Sequence, residues 1–196
     1  MYKRINKKSI KESYYNYCGL GARNPNDLYT LITIPSTCTH LNLNYNFIGN
    51  SIGDAGAEKI ADALVGNTTL RVLDLGSNNI GVSGAEKIAD ALEGNTPLTY
   101  LDLGGINIGN AGAEKIAEAL KVNTTLTYLD LRGNSIGASG AEKIAEALKV
   151  NTTLKTLWIY GNSIGDSGAA AIVDALRDCN RALTYFSTNN WDQDSR

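Results

Sequence analysis

The stretch Leu70-Arg71-Val72-Leu73-Asp74-Leu75-Gly76-Ser77-Asn78-Asn79-Ile80-Gly81-Val82-Ser83-Gly84-Ala85-Glu86-Lys87-Ile88-Ala89-Asp90-Ala91-Leu92 changes hydrophobic period half-way along. Leu73-Asp74-Leu75 alternates, which predicts a short half-buried strand. Ala85, Ile88, Ala89 and Leu92 fall at i, i+3, i+4 and i+7, which is one face of a helix. The glycines between the two allow a tight turn and a close backbone approach. Ser83 and Glu86 stand at the spacing of a capping box, as do Ser139 and Glu142.

The same pattern returns along the chain. Leu70, Leu98, Leu126 and Leu154 are 28 residues apart, as are Leu73, Leu101, Leu129 and Leu157. Leu75, Leu103 and Leu131 form a third series, with Ile159 in the last copy. Ile80-Gly81, Ile108-Gly109, Ile136-Gly137 and Ile164-Gly165 mark the turn into each helical segment. Asn-Thr-Thr follows several helices, at Asn67, Asn123 and Asn151, and suits a loop back to the next strand. One unit cannot bury its leucines alone, so the units must stack, strand beside parallel strand and helix beside helix.

This L-x-x-L-x-L-x-x-N-x-I-G-x-x-G pattern resembles the leucine-rich repeat of the ribonuclease-inhibitor type, a repeat length shared by NOD-like receptors and Ran GTPase-activating proteins. The resemblance covers about residues 38–190. It implies an α/β leucine-rich-repeat solenoid, a curved horseshoe with parallel β-strands on the concave face and α-helices on the convex face. Three segments follow: an N-terminal cap region at 1–37, whose start is expected to be disordered, repeats at 38–182, and a degenerate last repeat with a tail at 183–196. Asp27 to Ile34 is expected to form a helix or half-repeat, and Trp191 to cover the C-terminal end.

The register has faults. The family's asparagine falls at Asn78, Asn134 and Asn162, but the second full copy has Ile106, with Asn107 beside it. That copy is expected to have an altered turn. Leu41 and Leu73 are 32 residues apart, which fits a four-residue insertion where Ile48-Gly49 and Ile52-Gly53 both occur.

Composition narrows the function. Lys+Arg 18 against Asp+Glu 20 gives a net charge of −2 and disfavours a phosphate-tracking nucleic-acid binder. No apolar run is long enough to span a membrane, and no signal peptide is expected. Cys18, Cys38 and Cys179 are too sparse for a disulfide framework and fit free thiols in a reducing, cytoplasmic compartment. His40 is the sole histidine and belongs beside the first strand, so neither a zinc site nor a nucleophile–base pair is expected. The Gly-Asp-Ala-Gly turns lack the Gly-Lys-Ser/Thr of a phosphate loop and recur with the repeat. Sequons at Asn67, Asn123 and Asn151 recur in the same way and carry little weight without a secretory signal. No catalytic residue, metal or cofactor is expected.

Alternation turns the residues beside the inward leucines toward the concave face. Asp74, Asp102 and Asp130 then form an outward acidic ladder ending at Trp158, and Tyr100 and Tyr128 form a neighbouring aromatic row. On this reading Asp130→Lys leaves folding intact. Trp158, Tyr160 and Arg132 break the repeat and are residue types enriched at interface hot spots. The expected partner-binding set is Tyr100, Asp102, Tyr128, Asp130, Arg132, Lys155, Trp158 and Tyr160. It would receive a partner protein with a basic surface, in a non-enzymatic interaction module. The alternatives are a GTPase regulator of the Ran GTPase-activating type and a microbial effector acting on a host protein. A piece that positions other domains is a further one.

Overall fold

A computed structural model describes residues 39–44, 52–178 and 182–187. Six strands alternate with five helices: β1 (His40–Asn42), α1 (Gly53–Val65), β2 (Val72–Asp74), α2 (Val82–Gly94), β3 (Tyr100–Asp102), α3 (Gly109–Val122), β4 (Tyr128–Asp130), α4 (Ala138–Leu148), β5 (Thr156–Trp158), α5 (Gly165–Asp178) and β6 (Tyr185–Ser187). The strands form one parallel sheet in chain order, β1 to β6. The chain is therefore an α/β leucine-rich-repeat solenoid. The cap region at 1–37, its Asp27–Ile34 segment and Trp191 lie outside the described residues. So does most of the inserted stretch before α1.

The leucine series build the core. Leu41, Leu73, Leu101, Leu129 and Leu157 are buried and in register across five strands, with Phe186 half-buried at the end of the row. Ile60, Ile88, Ile116, Ile144 and Ile172 face them from the helices and are fully buried. Each such side chain contributes about 1.5–3 kcal/mol. No helix among the described residues is long and apolar enough to cross a membrane.

Two asparagine ladders stitch the units together. At the strand-side turn, Asn134 Nδ2 donates to Leu103 O at 2.7 Å, and its Oδ1 accepts from Ile106 N–H and Ile108 N–H. Asn78 and Asn162 make the same backward bonds to Leu43 O and Leu131 O. Beyond each helix, Asn95, Asn123 and Asn151 donate to Leu64 O, Leu92 O and Leu120 O, while their Oδ1 atoms accept from Leu98, Leu126 and Leu154 N–H. The sequon residues Asn123 and Asn151 are thus buried and fully engaged.

Two expectations are corrected. The turn at Ile106 is not altered: Gly105 and Asn107 have φ of +65° and +66°, matching Ser77 and Asn79 at +56° and +51°. Ile106 goes into the core, and the side-chain Oδ1 of Asn134 accepts from its N–H. The capping boxes do not form either. The residues flanking α2 and α4 are Gly81 and Gly137, with no side-chain cap from their own segments. The caps come from the preceding helix. Asp54 Oδ1 accepts from Gly81 N–H and Gly84 N–H at 3.0 and 2.7 Å. Asn110 Oδ1 accepts from Gly137 N–H and Gly140 N–H at 2.7 and 3.1 Å. A Cβ on Gly84 or Gly140 would lie 2.9 or 2.8 Å from the capping oxygen and 2.6 or 2.9 Å from Cγ2 of Ile80 or Ile136, so this close packing leaves room only for glycine.

Candidate interaction face

Strand register sets three rows across the concave face. Val72, Tyr100, Tyr128, Thr156 and Tyr185 form the first. Asn42, Asp74, Asp102, Asp130, Trp158 and Ser187 form the second. Asn44, Gly76, Gly104, Arg132 and Tyr160 follow two residues later. In the first row Tyr100 and Tyr128 are half-buried and stack with centroids 4.1 Å apart and planes 10° from parallel. Burial pushes both phenols above their ordinary pKa, and the neighbouring aspartates add to it.

The aspartates do not form an outward ladder. Asp74, Asp102 and Asp130 are all buried, Asp130 completely. Each turns Oδ1 back onto the N–H two residues ahead, at Gly76, Gly104 and Arg132. The Arg132 side chain then folds across them. Its Nη2 lies 3.3 Å from Asp102 Oδ2 and 2.9 Å from Asp130 Oδ2, the latter as a charge contact without hydrogen-bond alignment. Its Nη1 donates to the Tyr160 hydroxyl at 3.1 Å. Gly104 makes room for this, because a Cβ there would lie 3.2 Å from Arg132 Cγ. Asn44 serves Asp74 in the same manner at 3.3 Å, over Gly76.

Burial therefore dominates the acid chemistry. Desolvation pushes Asp130 up to about 6, against its Arg132 N–H bond; Asp102 adds to the rise and the Arg132 charge opposes it. Desolvation also raises Asp74, with Asp102 beside it. Asp102 and Asp130 accordingly lose their expected role as exposed steering charges; they hold Arg132 in place. A cleft of ≈ 360 Å³ remains between Asn44 and Tyr160, with Gly76, Gly104, Gly105 and Gly133 along it.

The open part of the face is aromatic. Trp158 meets Tyr160 edge-on with centroids 5.5 Å apart, and Tyr185 with centroids 5.0 Å apart. Arg132 keeps 42% of its side chain exposed and lies 6.0 Å from the Tyr160 ring centre. Lys155 is exposed just before β5, and its carbonyl accepts from Thr184 and Tyr185 N–H. The structure thus joins Arg132, Trp158 and Tyr160 as expected and adds Tyr185. Tyr185 was legible as the next member of the Tyr100–Tyr128 row, had the 29-residue step from Thr156 been allowed. Among the described residues no group of three or more His, Cys, Asp or Glu side chains is placed to hold a metal ion.

A family model described as TMOD/LMOD Leucine-rich domain matches residues 79–196, more than half of the chain. The chain belongs to the TMOD/LMOD leucine-rich domain family. A second model, Leucine Rich repeat, matches residues 66–89 of this leucine-rich domain. Among solved structures, actin-binding site 2 of leiomodin-1 superposes with a TM-score of 0.62 at 27% identity, over 78% of this chain and 86% of that one. The tropomodulin C-terminal domain from Caenorhabditis elegans superposes with a TM-score of 0.64, over 79% and 92% of the two chains; at 13% identity it shows the fold alone. Comparison with curated protein sequences gave no match.

Proposed function

We propose that this leucine-rich domain is a non-enzymatic protein-binding module whose partner is actin, engaged by the concave face at Arg132, Trp158, Tyr160 and Tyr185. Tyr100, Tyr128 and Lys155 flank that contact. The observation that carries the reading is the Trp158–Tyr160–Tyr185 cluster beside half-exposed Arg132, placed where the repeat breaks. Actin enters through the leiomodin-1 relative, whose solved domain is an actin-binding site. An actin partner would place its work in the cytoplasm. Residues 38–182 act as the repeat array and 1–37 as its N-terminal cap. The buried aspartates set the pose of Arg132, so a basic partner surface is not required.

The test is binding to actin monomers by anisotropy and to filaments by co-sedimentation. The variant carries Tyr128→Ala, Trp158→Ala and Tyr160→Ala, with its fold checked by circular dichroism. Loss of hot-spot aromatics of this kind costs at least about 2 kcal/mol, or ~30-fold in Kd. Wild type binding actin and the folded variant binding ~30-fold more weakly supports the reading. Equal binding by both moves the contact off this face, and no binding by wild type removes actin as the partner.

A further inference from the structure

Each strand and the helix after it make one unit, and the seams between units are not tied alike. The difference lies on the flank where strands turn into helices. Between units one and two, Asn78 Nδ2 donates to Leu43 O, and Asp54 Oδ1 accepts from Gly81 and Gly84 N–H. Between units three and four, Asn134 reaches Leu103 O and Asn110 supplies the same cap. Between units four and five Ala138 stands at the capping position, but Asn162 replaces the tie. Its Nδ2 donates to Leu131 O, its Oδ1 accepts from Asn134 and Ile136 N–H, and Ser163 N–H reaches Ile136 O.

The seam between units two and three has neither tie. Ile106 stands where the ladder needs asparagine, and Val82 where the cap needs a polar oxygen. Asn78 and Ile80 are buried, yet among the described residues no acceptor meets their N–H groups. Their counterparts one unit on, Ile106 and Ile108, are both held by Asn134. The helices also stand further apart here. A Cβ on Gly112 would lie 3.4 Å from Ala85 Cβ, against 2.8, 3.2 and 2.8 Å for Gly84 on Ala57, Gly140 on Ala113 and Gly168 on Ala141. Elsewhere the seam is closed. Tyr100 N–H bonds Arg71 O at the start of the strand, and beyond the helices Asn123 Nδ2 donates to Leu92 O.

We infer that the solenoid is hinged at this seam: units one and two form one block, units three onward another, and they open on the turn flank while staying joined beyond the helices. Ile106 packs where a directional bond would lie, and apolar contact is non-directional, so it holds the blocks together without fixing their angle. The ≈ 360 Å³ cleft runs across the hinge. Asn44, Gly76 and Ser77 line it from the first block, and Gly104, Arg132 and Tyr160 from the second. Opening therefore widens the cleft, while Arg132, Trp158, Tyr160 and Tyr185 keep their mutual pose within the second block. The inference does not depend on which partner the concave face takes.

The test is amide hydrogen exchange of the full chain, followed residue by residue by NMR. Ser77 N–H donates to Gly104 O across the hinge, and Gly105 N–H donates to Arg132 O one seam on. Ser77 should be at least about tenfold less protected than Gly105, since one hydrogen bond contributes about 1 kcal/mol. Gly84 N–H, held across the first seam, should stay better protected than Ser77, and Tyr100 should match Tyr128. Ile106→Asn restores the missing amide and should raise Ser77 protection about tenfold, leaving Gly105 unchanged. Equal protection of Ser77 and Gly105 in wild type overturns the hinge. Lower protection at Gly84 than at Ser77 overturns it in favour of fraying from the N-terminal end. Loss at Tyr100 equal to that at Ser77 overturns it in favour of complete separation. A folded Ile106→Asn variant without the rise overturns it as well; should that variant not fold, the wild-type profile decides alone.

Discussion

Asp130 shows how one side chain redirects its neighbours. It sits at an outward position by alternation, yet Arg132 and the adjacent rows exclude water from it. A carboxyl whose folded pKa is raised to about 6 holds its proton more tightly folded than unfolded. Its contribution to stability is therefore complete below about pH 4 and lost as pH rises through 6. Asp74, also raised, acts in the same direction. Urea denaturation of wild type and Asp130→Asn at pH 4, 5, 6 and 7 should show the wild type losing stability relative to the variant up to about pH 6, then running parallel to it. A constant difference across that range would contradict the buried carboxyl. Asp130→Lys, harmless if the side chain were outward, should instead destabilise the fold, since an unmatched buried charge costs about 3–5 kcal/mol. Alternation alone could not reveal this, because the closing cation comes from a side chain that lies down over Gly104 instead of standing up. The aromatic half was legible: Trp158 and Tyr160 announced themselves by interrupting near-identical copies.

At the scale of the element, helix faces were readable because their period is local, whereas helix caps were not. Ser83 and Glu86 have the local spacing of a cap, but the helix starts at Val82, ahead of Ser83, and the N–H groups of Gly81 and Gly84 at its start are held by Asp54, 27 and 30 residues earlier. Short-range rules see only the first possibility. Asp54→Ala and Asn110→Ala should each cost about 1 kcal/mol, within the range of N-cap losses. Ser83→Ala and Ser139→Ala should stay within about 0.5 kcal/mol. Thermal or urea melts of the four variants decide the matter. The reverse ranking would restore the local capping box.

Across the whole molecule the leucine rows form one continuous core, so damage at its centre is not confined to one unit. Leu129→Ala, in the central β4, should cost about 2–5 kcal/mol, as buried leucine truncations do. Tyr128→Ala, one residue away and half-buried, should cost less, and differential scanning calorimetry would rank the two. Equal losses would mean the sheet faces are assigned wrongly. The repeat made this architecture legible from sequence alone, since identical spacing forces identical register. The caps passed from one helix to the next were not legible, because they arise from a two-unit alternation that the single-unit period conceals.

The asparagine ladders also have a direction. The amides of Asn78, Asn134 and Asn162, and of Asn95, Asn123 and Asn151, all reach back to carbonyls of the unit that precedes them in the chain. Each unit brings the groups that fasten it to what is already formed, and none has to wait for a distant segment. Such a chain is suited to growing its structure in order as it leaves the ribosome, each turn of synthesis closing the last seam like a zip. An arrest series that exposes one further unit at a time should then show protease resistance rising in steps.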